Sequence, residues 1–191
     1  MSEDIRKMID KVKNFKQFVN EITLYHGSKN DFKTFDHSFI KSGQGENQYG
    51  YGFYLSTSEL VAKNIADIVN GSVLNFKLND DANIIDLRIR PNLNDGVLPK
   101  ILKTLEKYKK QLSNLEEPYY DFNGYRDSIG DSYSYGELYY KLEEMFGDKE
   151  ATKILVNSGI DGGKYIPKLN GDFLDNEFDY VIYNPNVLTK I

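Results

Sequence analysis

Apolar positions along the chain alternate between helical and strand-like spacing, and the switches between the two mark its elements. Residues 4–19 set Ile5, Met8, Ile9, Val12, Phe15 and Val19 three and four apart, which predicts an amphipathic helix ahead of the main domain. Ile22-Thr23-Leu24-Tyr25 reads as a strand that delivers His26. Residues 29–49 are polar and carry Gly43-Gln44-Gly45, so they are expected to form a long loop around Phe32 and Phe35. Loops of that length within a compact domain are usually functional, which suits a flap over a ligand.

Beyond Tyr54 the spacing becomes helical. Ser56-x-x-Glu59 has capping-box form, Leu60, Val61, Ile65, Ile68 and Val69 continue the apolar stripe, and Asn70-Gly71 supplies the stop. Residues 73–78 and 83–89 predict strands, and 97–115 a helix. A tyrosine-rich polar stretch, 119–135, follows, with Asn123-Gly124 as a turn. A second capping box, Ser134-x-x-Glu137, opens a further helix, and 148–157 form another that ends at Ser158-Gly159. A strand over 180–183 closes the pattern. The mixture, without repeats or low-complexity tracts, is that of an α+β protein.

Composition narrows the functional classes. At 191 residues, 40% hydrophobic and 28% charged, the chain fits one globular core, and no apolar run approaches the ~20 residues of a membrane helix. The first residues lack the apolar stretch of a signal peptide, which points to the cytoplasm of the producing or infected cell. The absence of cysteine removes disulfides, thiolate metal sites and cysteine nucleophiles, and two histidines are too few for a histidine-rich metal centre. A net charge of −5 argues against affinity built on phosphate neutralisation. The clearest basic run, Lys100, Lys103, Lys107, Lys109 and Lys110 interleaved with Leu102 and Leu105, reads as the solvated face of a helix.

The chemistry-bearing segments are Leu24-Tyr25-His26-Gly27-Ser28, Gly50-Tyr51-Gly52-Phe53-Tyr54-Leu55-Ser56 and Glu177-Phe178-Asp179-Tyr180-Val181-Ile182-Tyr183. Cleavage of a glycosidic bond builds positive charge on the sugar, which a nearby carboxylate stabilises. An aromatic ring can hold a flat leaving group, and a glycine lets the backbone approach it. A histidine hydrogen-bonds a sugar hydroxyl in either protonation state.

In that order and spacing, these segments resemble the ADP-ribosyltransferase superfamily, in its His-Tyr-acid branch of diphtheria-toxin and poly-ADP-ribose-polymerase type. The similarity is greatest to the toxin-like ADP-ribosyltransferase domains in polyvalent proteins of phages and mobile elements. It extends through residues 59–66, Glu150-Ala151 and Ser158-Gly159-Ile160-Asp161-Gly162-Gly163-Lys164-Tyr165. The resemblance implies split antiparallel sheets around an NAD+ crevice with flanking helices. It implies one domain over 21–191, with an unmatched insertion near 92–135, preceded by the helix within 1–20.

The resemblance assigns the catalytic roles to His26, Tyr54, Asp179 and Glu177. His26 and Ser28 would bind the ribose, Gly27 the carboxamide through its backbone, Tyr54 would stack on nicotinamide, and Gly52 and Tyr51 would complete the NAD+ site. Three departures from the family pattern stand out. Asn64 and Ile65 occupy the region of a second stacking tyrosine, leaving Tyr49 or Tyr51 as candidates for that wall. The acid is aspartate rather than glutamate. Glu177-x-Asp179 resembles the paired acids of the arginine-directed branch, in which the first orients the acceptor, so either acid could be the key one. The expected activity is mono-ADP-ribosyl transfer from NAD+ to a macromolecule, protein favoured over nucleic acid, by a monomer that does not span a membrane. NAD+ hydrolysis and a weakly active NAD/ADP-ribose-binding module are the alternatives.

Overall fold

The computed structural model describes residues 22–40, 48–112, 124, 127, 129, 132, 134–169, 172–173 and 177–191. The helix expected within 1–20, the glycine pair at 43–45 and most of 113–133 lie outside these. The described chain is α+β.

Seven strands form one sheet: β1 (Thr23–Ser28), β2 (Phe53–Ser56), β3 (Ser72–Leu78), β4 (Ile84–Asp86), β5 (Gly162–Tyr165), β8 (Asp179–Ile182) and β9 (Leu188–Lys190). They are ordered β4-β5-β8-β2-β1-β3-β9. A separate two-stranded ribbon joins β6 (Lys168–Leu169) to β7 (Asp172–Phe173). The helices are α1 (Glu59–Ile68), α2 (Val97–Leu105), the short α3 (Lys109–Leu112), α4 (Tyr135–Phe146) and α5 (Asp148–Asn157).

In place of two separate antiparallel sheets there is one sheet with a weak joint. β1 pairs with β3 over six positions and β2 with β8 over four, but β1 meets β2 only at Tyr25↔Ser56. Pairing is antiparallel throughout except between β4 and β5. Those two strands are joined through the helices, as a parallel pair requires.

Strand alternation sends side chains to two cores. Leu24, Phe53, Leu55, Phe76, Tyr180 and Ile182 fill one face, covered by the loop that carries Phe32 and Phe35. Val181 and Tyr183 point to the other, where Leu98, Ile101, Leu138, Leu142, Ile154 and Leu155 of α2, α4 and α5 close over them. Burial on both sides explains the unbroken apolar run over residues 180–183 that follows Asp179 in β8. The described part of the 92–135 stretch belongs to this core, since Leu98, Ile101 and Leu105 are at most 2% exposed.

Local signals account for most boundaries. Ser134 Oγ accepts the Glu137 N–H, as a capping box requires. Asp86 ends β4 earlier than expected, because its carboxylate accepts the backbone N–H and the guanidinium of Arg88 and turns the chain. The helix expected over 97–115 tightens into a 3₁₀ turn at Glu106–Tyr108, where the Tyr108 hydroxyl donates to Glu150 at 2.6 Å. All five lysines of the basic run are exposed. The expected cap of α1 is corrected: its N-cap is Ser58, and Ser56 Oγ instead accepts the Ser58 N–H at 3.1 Å.

Candidate functional site

Register brings Tyr54, Ser56 and Asp179 onto one face. Tyr54 lies across from Val181, and Ser56 across from Asp179. Cross-strand partners share a face, so these side chains all point to the helix-covered side. On the other flank of β8, Tyr165 of β5 also pairs with Asp179.

Tyr54, Tyr49 and Tyr165 each pack against the helix-face core. The Tyr54 hydroxyl donates to Gly50 O at 3.0 Å and accepts the Tyr49 N–H at 3.1 Å, which ties the preceding loop to the ring. Tyr49 in turn stands 4.8 Å from Tyr165 and 5.5 Å from Tyr140, ring centre to ring centre. Burial raises the hydroxyls of Tyr54, Tyr140 and Tyr165 above the usual phenol value, Tyr140 to about 12, so all three are neutral near neutral pH.

The carboxylates are the least satisfied groups here. Asp179 Oδ1 and Glu177 Oε2 are buried and accept no hydrogen bond among the described residues. Burial pushes the Asp179 carboxyl up from 3.8 to about 6. The Ser56 hydroxyl hydrogen-bonds it and lowers it, and the charge of Glu177 raises it further. A buried acceptor without a donor is costly, so it marks a position where a ligand donor would be favourable.

His26 reaches this cluster from the opposite side. Its ring lies with Phe32 and Phe35, at 5.8 and 5.1 Å, in the loop-covered core. Its Nδ1 lies 2.8 Å from Tyr54 O, bridging β1 and β2 just where their ladder stops. A carbonyl only accepts, so Nδ1 carries the proton, and burial lowers the imidazole pKa and keeps it neutral. Nε2 is then an acceptor, with no hydrogen bond to the described residues. Sheet alternation thus puts the His26 and Tyr54 rings on opposite faces of the sheet rather than in the one shared cleft the resemblance implies, and the two residues meet through the His26 ring and the Tyr54 main chain.

The other expected residues divide. Gly27 lies against α1, where an added Cβ would come within 2.3 Å of Ala62 O and 2.9 Å of Ile65 Cβ. Beyond Tyr25 the edge of β1 has no register partner in β2, and antiparallel strands aim successive N–H and C=O groups to alternate sides. Backbone groups along His26–Ser28 therefore face the opening between the strands. Ser28 is half-buried, and its hydroxyl donates to Asn30 O at 2.9 Å. Gly52 packs on β8, with Ile182 O 2.8 Å from where a Cβ would be. Of the two aromatic candidates for the missing wall, Tyr49 stands beside Tyr54, whereas Tyr51 packs toward the loop-covered core.

A cavity of about 430 Å³ opens over this face, lined by Tyr49, Tyr140, Tyr165, Arg88 and Glu137 among others. Tyr54 and Asp179 do not line it. Arg88 at its rim is held by Asp86 and lies 5.0 Å over the Phe178 ring. Sequence reasoning did not single out Ser56 as the acid's neighbour or Tyr140 as a wall, and Tyr165 was carried only as part of a glycine motif. Among the described residues no group of three or more His, Asp or Glu is arranged to hold a metal ion. No protein-family model matches the chain, and neither the curated proteins nor the solved structures contain a significant match to it.

Proposed function

We propose that the chain cleaves NAD+ and transfers ADP-ribose to a macromolecular acceptor, protein in preference to nucleic acid. The observation that carries this reading is the pair of buried, donor-free carboxylate oxygens on Asp179 and Glu177, beside Tyr54 and next to the joint between β1 and β2. Loss of nicotinamide leaves positive charge on the ribose, and a preorganised carboxylate lowers that barrier most.

In this reading the nicotinamide enters the gap between β1 and β2, with its carboxamide against the open edge of His26–Ser28. Tyr54 or Tyr49 forms the aromatic wall. His26 Nε2 accepts a hydrogen bond from a ribose hydroxyl. Asp179 stabilises the developing cation, and Glu177 orients the acceptor nucleophile and takes its proton as the new bond to the ribose carbon forms and nicotinamide leaves. The neutral His26 leaves the carboxylates as the charged groups facing the ribose.

The deciding experiment incubates the protein with labelled NAD+ and a lysate, then digests with protease or nuclease. Label released by protease supports the proposal. Nicotinamide release without labelled macromolecule assigns NAD+ hydrolysis instead. NAD+ binding with no release in a full lysate assigns a binding module.

A further inference from the structure

A larger cavity, of about 690 Å³, lies at the other end of β2, between residues 34–37, Tyr51, the start of α5 and residues 183–186. Its volume falls within the roughly 300–1,000 Å³ of small-molecule sites. The carboxylates of the site described above do not line it.

Two kinds of group converge there. Phe35, His37 and Tyr51 contribute aromatic surface. Lys149 and Lys153 contribute positive charge, but only Lys153 is engaged, with Glu150 at 3.2 Å. Lys149 Nζ lies 4.8 Å over the Tyr51 ring, is exposed, and has no carboxylate partner among the described residues. The acidic neighbour Asp36 is committed to the Ser38 N–H at 2.8 Å. An exposed cation resting on a half-buried ring is weakly held, so an arriving anion gains Lys149 without breaking an ion pair.

We propose that this cavity binds a phosphorylated ligand with a planar ring, of nucleoside-monophosphate chemistry. The phosphate meets Lys149, and the ring packs against the aromatic wall that includes Tyr51. Asn186, exposed and with its side chain free of hydrogen bonds to the described residues, can read a ring edge. A cationic ligand would be repelled by Lys149. A bare phosphate would leave the aromatic surface unused. A free nucleotide and the adenylate half of NAD+ share this chemistry.

The test needs no catalysis. The full chain is titrated with AMP and with adenosine by calorimetry, alongside Lys149→Glu and Asp179→Asn. AMP should bind the unaltered protein about tenfold or more tighter than adenosine, the scale of one charge-assisted contact. Lys149→Glu should remove that difference while leaving the melting temperature unchanged, and Asp179→Asn should preserve it. No AMP binding in the millimolar range, or equal AMP binding by the unaltered protein and Lys149→Glu, overturns the proposal. Within a positive result, NAD+ titrated into AMP-saturated protein names the source. Weakened NAD+ binding identifies the adenylate half, and unchanged binding identifies a separate nucleotide.

Discussion

At the scale of single residues, Asp179 carries opposite consequences for stability and activity. Its carboxyl has a higher pKa in the folded state, about 6, than the 3.8 of an exposed group. The folded chain therefore binds the proton more tightly than the unfolded chain does. That contribution is fully present below the unfolded value and is lost as pH rises through about 6, leaving a cost of about 2 kcal/mol at neutral pH after partial screening by solvent. Asp179→Asn should accordingly raise the unfolding free energy by about 1–2 kcal/mol near neutral pH, and the gain should vanish by about pH 4, as read by urea titration at both. The same variant should lose on the order of 10²–10³ in nicotinamide release, whereas Glu177→Gln should lower transfer to an acceptor more than cleavage. If Glu177→Gln abolishes cleavage and Asp179→Asn does not, the acids have been assigned the wrong way round.

At the scale of elements, close contacts rather than propensity decide what each glycine and serine does. Gly27 lets the backbone of α1 lie directly on β1, and its contact with Ala62 O leaves no room for a methyl group. Gly27→Ala should push α1 outward at a cost of about 1–3 kcal/mol, measurable as a lowered unfolding midpoint. Ile65 would move with the helix, so a change in nucleotide affinity should accompany it. The ends of α4 and α5 could be read from the sequence, because a capping box and a Ser-Gly stop act within one turn. The faces of β1 and β2 could not. Which side His26 and Tyr54 take depends on the Tyr25↔Ser56 register, a pairing between residues 31 positions apart (56 − 25). Ser56 illustrates the same limit: its spacing to Glu59 suggested a helix cap, but the neighbour that gives it a role, Asp179, is 123 positions away (179 − 56). Tyr140 and Tyr165 join the site through the same kind of long-range placement.

At the scale of the whole molecule, the sheet behaves as two halves with one rung between them. β4, β5, β8 and β2 share the helix-covered core, while β1, β3 and β9 are held to them by Tyr25↔Ser56, the His26 bridge, α1 and the loop-covered core, in which Leu24 and Phe76 pack with Phe53 and Ile182. His26→Ala removes one of these ties, a hydrogen bond worth about 0.5–1.5 kcal/mol. Amide exchange in β1, β3 and β9 should then accelerate more than in β5 and β8; equal acceleration everywhere would show that the halves open as one unit. The flanks of β3 carry a different consequence. Thr23 and Thr189 pair with the same residue, Lys77, from opposite sides. Two inter-strand spacings of about 4.8 Å place them roughly 10 Å apart, a gap that a few residues of linker can cross. A rewired gene that joins residue 190 to residue 22 and opens the chain between the exposed Asp80 and Asp81 should thus encode a protein with the same sheet and the same titration behaviour. The order in which the strands are synthesised would then be separable from the order in which they lie.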